Sequence, residues 1–267
     1  MFRLVKWYLD VVSDDGTAFI GYAARVQWRA FRVRYGATLL SRPTGPLVER
    51  STLSPGSGPL ADADGVLGWQ CHRLGVDGHW SPTAAPILRR LYRDRTGAVD
   101  WECLVPAARV RLRVGSLHLD GWGYAERLVM TLPPWRLPLV ELRWGRVVGP
   151  AAAAVWVDWR GPSPRRCVVV DGVEMADADV ADDRLRLHQS DGHTELRLHR
   201  ARTLREGRLL DVLEAVPTLA RALPHAMGAA RETKWLSRGE LAGAEGVSTP
   251  AGWAIHEVVQ WQARVAE

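Results

Sequence analysis

The segment Gly121-Trp122-Gly123-Tyr124-Ala125-Glu126 recurs near the end of the chain as Gly252-Trp253-Ala254-Ile255-His256-Glu257. Both copies have the form Gly-Trp-x-x-x-Glu, and both alternate in the way expected of a β-strand with one buried face. One copy lies near the middle of the chain and one near its end, which indicates an internal duplication. The 267 residues suffice for two domains of ordinary size, and we predict that these are residues 1–149 and 150–267.

Short alternating segments separated by turn sequences run along most of the chain. Ser13–Gly16 and Asp94–Gly97 are two such turns, and this spacing predicts an all-β, mainly antiparallel protein. Within residues 18–35 the apolar positions change phase near Ala30, which predicts a β-bulge or a corner. Leucines recur at helical spacing between residues 209 and 230, where we predict one or two short helices interrupted by proline.

Composition narrows the class of protein. Hydrophobic residues make up 47% of the chain and charged residues 24%, which is typical of a globular protein with its own core. No signal region or long apolar segment occurs, so we predict a cytoplasmic protein without stable membrane insertion. The three cysteines form no C-x-x-C pair, and no phosphate loop or hydrolase elbow is present, so we predict no metal and no cofactor.

The net charge of +5 raises the question of an acidic partner. All but two of the 35 basic residues are arginine, and many alternate with apolar residues, as on the solvated side of half-buried strands. No helix suited to a DNA groove is present, and we do not predict nucleic-acid binding.

The glutamate of the repeat is the candidate for chemistry. In the first copy, strand alternation places Trp122, Tyr124 and Glu126 on one face. A carboxyl group among aromatic rings is poorly solvated, which is how proteins make a general acid that works near neutral pH. The alternative is a structural role, in which the glutamate neutralises an arginine or accepts backbone N–H groups. For Glu126 both interpretations stay open, and for Glu257 the structural one is favoured.

Five segments in order along nearly the whole chain resemble the carotenoid 1,2-hydratase (hydroxyneurosporene synthase) and AttH-like family. The resemblance implies two tandem lipocalin-like β-barrel domains. It also implies an apolar ligand, because the family and its relatives include enzymes that hydrate polyenes, cyclise terpenoids or catalyse pericyclic cyclisations. The segments are Trp7–Gly16, Gly121–Glu126, Trp144–Arg146, Lys234–Gly239 and Gly252–Glu257.

The same resemblance aligns two hydratase elements with this chain. A Tyr-x-Asp element, important for substrate protonation in the hydratases, falls on Tyr124 and Glu126, with glutamate in place of aspartate. A His-x-Trp element falls on Val99-Asp100-Trp101, which keeps the tryptophan and lacks the histidine.

Protonation of an isolated alkene requires a strong acid, a dry pocket and π-faces that stabilise the resulting cation. We therefore predict that Glu126 and Tyr124 are catalytic. Core packing is the alternative for the tryptophans, and a salt bridge to a barrel arginine is the alternative for Asp10. The predicted ligand-binding residues are Trp122, Trp101, Trp7, Asp10 and Tyr22.

These observations predict an enzyme of the terpenoid cyclase, isomerase or hydratase type. Its reaction would be a cofactor-independent, acid-catalysed cyclisation, isomerisation or hydration of an apolar terpenoid or polyene. One alternative is a pericyclase that acts by holding a reactive conformer of its substrate. The other is a binding protein that carries an apolar small molecule without chemistry.

Overall fold

The computed structural model describes residues 1–189, 192–208, 230–243 and 248–261. Their regular secondary structure is almost entirely strand, and every strand pairing is antiparallel, so the all-β prediction is confirmed. None of them forms a helix long and apolar enough to span a membrane. The predicted helical stretch lies outside the described residues except for Ala230.

The chain divides into two compact units, Met1–Pro133 and Pro134–Glu267. The first unit contains strands β1 Phe2–Val12, β2 Ala18–Trp28, β3 Phe31–Ser41, β4 Val48–Thr52, β5 Leu60–Ala61, β6 Leu67–Cys71, β7 Val76–Pro82, β8 Ile87–Asp94, β9 Gly97–Val114 and β10 Leu117–Met130. Short 3-10 turns occupy His72–Leu74 in this unit and Pro134–Arg136 at the start of the next.

The second unit contains strands β11 Glu141–Val148, β12 Ala153–Arg160, β13 Arg165–Val170, β14 Val173–Glu174, β15 Ala178–Val180, β16 Arg184–Gln189, β17 Gly192–Arg208, β18 Arg231–Ala242 and β19 Ser248–Gln260. Strand β11 lies before residue 149, and it belongs to the second unit because it pairs with β12 and β19.

The two sheets have the same strand order. The first runs β4-β3-β2-β1-β10-β9-β7-β6-β5, with β8 pairing beside it on β9, and the second runs β14-β13-β12-β11-β19-β18-β17-β16-β15. In each unit the first strand pairs with the last, and the two edge strands follow one another in the chain. The Gly-Trp-x-x-x-Glu copies lie on β10 and β19, which are equivalent strands, as a duplication requires.

Chain connectivity requires both sheets to curl. Strands β14 and β15 form opposite edges of the second sheet, and eight inter-strand spacings would separate them by about 38 Å if that sheet were flat. The three residues that connect them reach only about 15 Å. In the first unit, the Trp69 ring of β6 packs against Gly21 of β2 across the curled sheet. Each unit is therefore a barrel-like, lipocalin-type sheet around its own core.

The predicted bulge or corner near Ala30 is wrong, because β2 and β3 are separate strands joined by a tight hairpin. Arg29 at the turn adopts a left-handed conformation with φ of 55°, and Trp28 pairs with Phe31 on either side of it. The change of phase in the sequence therefore marks a reversal of the chain.

Each core lies on the concave face of its sheet. In the first unit that face carries Leu9, Phe19, Trp69, Trp80 and Ala125 among others. In the second unit Val147, Ala154, Trp156 and Leu198 are part of the corresponding core. Because side chains alternate along a strand, the residues next to Leu9 and Ala125 lie on the opposite face of the first sheet.

Candidate functional site

The glycine and the tryptophan of the repeat have the same structural role in both units. A Cβ on Gly121 would overlap the Val12 carbonyl, and a Cβ on Gly252 would overlap the Val148 carbonyl. Each glycine thus permits a close approach of two backbones.

Each tryptophan packs beneath an arginine of the neighbouring strand. The Arg109 guanidinium lies 4.9 Å from the Trp122 ring centroid, and that of Arg238 lies 3.9 Å from the Trp253 ring centroid. Cross-strand cation–π contacts of this kind stabilise a sheet. This part of the repeat is therefore explained by folding.

The glutamates of the repeat have different surroundings in the two units. In the first, Glu126 is half-buried, and its Oε2 accepts a hydrogen bond from the Trp101 indole N–H and one of 2.6 Å from the Tyr124 hydroxyl. Both donors are uncharged. Two donors on one oxygen fix the plane of the carboxyl group, which orients it for proton transfer.

Tyr124 is completely buried next to Glu126 and also hydrogen-bonds with the Cys103 side chain. Burial, followed by the neighbouring Cys103 and Glu126, raises the pKa of Tyr124 well above its ordinary value. The hydroxyl therefore keeps its proton and remains a donor to Glu126 throughout the neutral range.

Further aromatic rings lie on the same face as Glu126. Strand register places Tyr8 directly opposite Glu126 and Tyr22 directly opposite Tyr8. The Tyr8 ring meets the Tyr22 ring edge-on at 5.5 Å and the Tyr124 ring at 6.1 Å. This aromatic face is the side of the sheet away from the core of the first unit.

In the second unit the equivalent glutamate belongs to a buried charge network. Glu257 forms an ion pair with Lys234, which also binds Glu232 at 3.0 Å. The Lys234 side chain is only 3% exposed. Burial alone would raise the pKa of Glu232, but Lys234 and Arg205 outweigh it and lower that pKa to about 2. Glu257 therefore has the structural role favoured by the sequence.

Strand register identifies what replaced the charge network in the first unit. Trp101 lies opposite Leu128, two residues beyond Glu126, and Glu232 lies opposite Val259, two residues beyond Glu257. Trp101 thus corresponds to Glu232. Counting two residues further makes Cys103 the equivalent of Lys234. The two positions that hold the Glu232–Lys234 ion pair in the second unit therefore hold Trp101 and Cys103 in the first.

The remaining predicted ligand-binding residues do not all lie together. Asp10 is fully buried on the face of Glu126, directly opposite Tyr124. Trp122 is two residues from Tyr124 on that face, under Arg109. Trp7 lies on the opposite face, where the Arg127 guanidinium is 5.3 Å from its ring centroid.

Sequence reasoning missed Tyr8 and Cys103. Tyr8 follows Trp7 in the first strand, and the register with β10 that brings it to Glu126 is a tertiary feature. Nothing in the spacing of the three cysteines points to Cys103, and its hydrogen bond with Tyr124 depends on the fold.

His256 lies inside the core of the second unit, as alternation with Glu257 requires. Its Nε2 is 2.8 Å from the Ser237 Oγ, and the Trp235 ring centroid is 5.1 Å from the imidazole centroid. Burial, with a smaller contribution from Arg200, lowers the pKa of His256 to about 3. The imidazole is therefore neutral at ordinary pH and acts as a polar core group.

No cluster of three or more His, Cys, Asp or Glu side chains with the geometry of a metal site occurs in the described part of the chain. A phenol and a thiol, those of Tyr124 and Cys103, lie beside Glu126 and can hold or move protons. The chemistry that this arrangement can support is proton transfer.

Comparison with solved structures shows which known fold this chain shares. The chain is similar to an AttH-type protein of Nitrosomonas europaea (TM-score 0.59, 11% identity, 98% of this chain and 93% of that one). It is similar to CghA, crystallised with Sch210972 (0.61, 12%, 97% and 89%), and to kievitone hydratase of Nectria haematococca (0.53, 11%, 96% and 88%). The chain therefore has the AttH-like lipocalin fold. No protein-family model and no curated protein sequence matches it.

Proposed function

We propose that this protein catalyses a cofactor-independent, acid-catalysed cyclisation, isomerisation or hydration of an apolar terpenoid or polyene, with Glu126 as the proton donor. The observation that carries the proposal is the contrast between two equivalent carboxylates. Glu257 is bound to a buried lysine, whereas Glu126 is held by an indole and a phenol beside further aromatic rings.

The proposed reaction begins with transfer of the Glu126 proton to an alkene carbon of the substrate. The π electrons form the new C–H bond, and the carbocation that results is stabilised by nearby aromatic faces, such as those of Tyr8 and Tyr22. In a cyclisation, a second double bond of the substrate attacks this cation. Loss of a neighbouring proton to Glu126 then completes the cyclisation or isomerisation. In a hydration, water attacks the cation and returns its proton to Glu126.

Tyr124 and Trp101 have positioning roles in this proposal. Each donates a hydrogen bond to Oε2, so together they fix the carboxyl group and stabilise it after it has lost its proton. Trp101→Phe keeps an aromatic ring and removes the N–H donor. We therefore expect it to slow turnover more than it weakens substrate binding.

Fold relatives are consistent with this class of reaction. Kievitone hydratase is by its name a hydratase, and CghA binds a small molecule in its crystal structure.

The test compares three proteins against a panel of terpenoids and polyenes, with products separated by chromatography and identified by mass. The proteins are the wild type, Glu126→Gln, and Glu257→Gln, which makes the same change at the equivalent position of the other unit. We expect an isomer or a hydrated product from the wild type and from Glu257→Gln, assayed below their unfolding temperatures. We expect no product from folded Glu126→Gln.

Two other outcomes would refute acid catalysis by Glu126. Full activity of Glu126→Gln, with a rate independent of pH, would favour the pericyclase alternative, in which substrate conformation alone lowers the barrier. Retention of an unchanged apolar molecule by all three proteins, with no product, would favour the binding-protein alternative.

A further inference from the structure

The β2–β3 hairpin region holds the whole positive charge excess of this chain. Residues 16–48 contain five arginines and neither Asp nor Glu, and residues 1–9 add Arg3 and Lys6, again without an acidic residue. These two stretches carry a charge of +7, whereas the net charge of the chain is +5. The rest of the chain is therefore slightly acidic. The five arginines are Arg25, Arg29, Arg32, Arg34 and Arg42.

Strand register gathers the arginines of the hairpin on one face. Arg25 lies directly opposite Arg34, and Gln27 lies between Arg3 on β1 and Arg32 on β3. All four arginines are exposed, and none forms an ion pair with a carboxylate of the described residues. Several arginines elsewhere in the described residues form ion pairs, such as Arg90 with Asp100 at 2.7 Å.

Uncompensated like charges directly opposite one another destabilise a sheet. Binding of an anion lowers the repulsion among these arginines. Arginine is well suited to phosphate, because its planar guanidinium donates two parallel hydrogen bonds.

The other face of the same hairpin is apolar and aromatic. Val26 lies opposite Val33, and Trp28 lies opposite Phe31 next to the turn. Phe31 is 58% exposed, so its ring is open to solvent beside the turn. The Arg29 guanidinium lies over the Trp28 ring, with 5.5 Å to its centroid. The hairpin therefore has an arginine face, an apolar face and an aromatic tip.

We propose that the β2–β3 hairpin docks this protein on an anionic lipid surface. Tryptophan and phenylalanine at the tip would lie at the level of the head groups, where aromatic side chains are favoured. The flexible arginine side chains would reach lipid phosphates from the same position. A nucleic acid would also neutralise the arginines, but it offers no apolar environment to the exposed Phe31. An anionic lipid surface offers both phosphates for the arginine face and an apolar environment for Phe31.

This docking does not depend on the proposed acid chemistry. It concerns a different part of the first unit, and it requires surface attachment without any membrane-spanning segment.

The test is co-sedimentation of the protein with lipid vesicles. Wild type is mixed with vesicles of phosphatidylcholine plus phosphatidylglycerol, or of phosphatidylcholine alone. Arg32→Gln/Arg34→Gln removes two charges from the hairpin, and Arg93→Gln/Arg95→Gln removes two exposed charges from another turn of the same unit. We expect binding to the anionic vesicles only, weakened roughly 30-fold in the hairpin variant, since each basic side chain near such a surface contributes about fivefold. The control variant should bind like wild type.

The apolar contribution is tested with Phe31→Ser. Phe31→Ser should bind roughly tenfold more weakly, because it loses apolar burial. Salt screens the arginine contacts and leaves apolar insertion intact, so this variant should lose its remaining binding at a lower salt concentration than wild type. Failure of wild type to bind anionic vesicles would overturn the proposal, as would equal binding by the hairpin and control variants. Binding of wild type to duplex DNA without binding to vesicles would assign the arginine face to nucleic acid instead.

Discussion

Mild acid should destabilise the second unit through one buried histidine. Burial, with Arg200 contributing less, lowers the pKa of His256 to about 3 in the folded protein, whereas the pKa of a histidine in an unfolded chain is about 6.5. Between these values the unfolded chain binds a proton that the folded chain excludes. The free energy of unfolding is therefore complete above the unfolded pKa and falls as the pH decreases towards the folded one.

The size of this effect follows from the two pKa values. Each pH unit in the window costs about 1.4 kcal/mol, so stability should fall by about 2 kcal/mol by a pH of about 5 and by about 5 kcal/mol over the whole window. Other groups also titrate as the pH falls, so the decisive quantity is the difference between wild type and a variant without this imidazole. His256→Gln is suitable, because a glutamine amide is long enough to keep a hydrogen bond with Ser237.

The assay is denaturant-induced unfolding at a series of pH values, with hydrogen exchange of peptides from β18 and β19 to assign the transition to the second unit. Wild type should lose stability with decreasing pH more steeply than His256→Gln, by about 1.4 kcal/mol per pH unit. His118→Gln, a change at an exposed histidine, should retain the wild-type slope. Parallel slopes for wild type and His256→Gln would refute the assignment of the acid sensitivity to this residue.

Two further predictions concern stability. Lys234→Met should lower the free energy of unfolding by about 3–5 kcal/mol, because it leaves Glu232 and Glu257 buried without their shared cation. Denaturant titrations measure this loss, with the surface change Arg93→Met as the control. Similar losses for the two variants would show that the buried ion pairs do not contribute to stability. Gly21→Ala should cost about 1–3 kcal/mol, because its Cβ would overlap the Trp69 ring. Gly68→Ala, also in a strand but with its nearest neighbour 3.8 Å from the added Cβ, should be neutral or stabilising, and equal thermal shifts for the two variants would show that Trp69 moves aside.

The arginine face illustrates a signal that sequence reasoning passed over. Alternation of arginine with apolar residues correctly indicates half-buried strands, and it made the basic residues look evenly spread. Counting charge by segment would have found the stretch without acidic residues. The pairing of Arg25 with Arg34, which turns that stretch into a surface, depends on a hairpin that replaced the expected bulge.

The sequence by itself determined the strand class and the duplication, because alternation and turn chemistry act over a few residues and a repeated motif needs no long-range information. It also placed Glu126 next to Tyr124, since two residues of one strand separated by a single position share a face. The two motifs, which have the same form, could not show that the two glutamates have different partners. That difference was decided by strand register in the tertiary structure, which brings Trp101 and Tyr8 to one glutamate and Lys234 to the other. Such partners lie far apart in the chain, and a shift of one residue in register would have given each glutamate a different set.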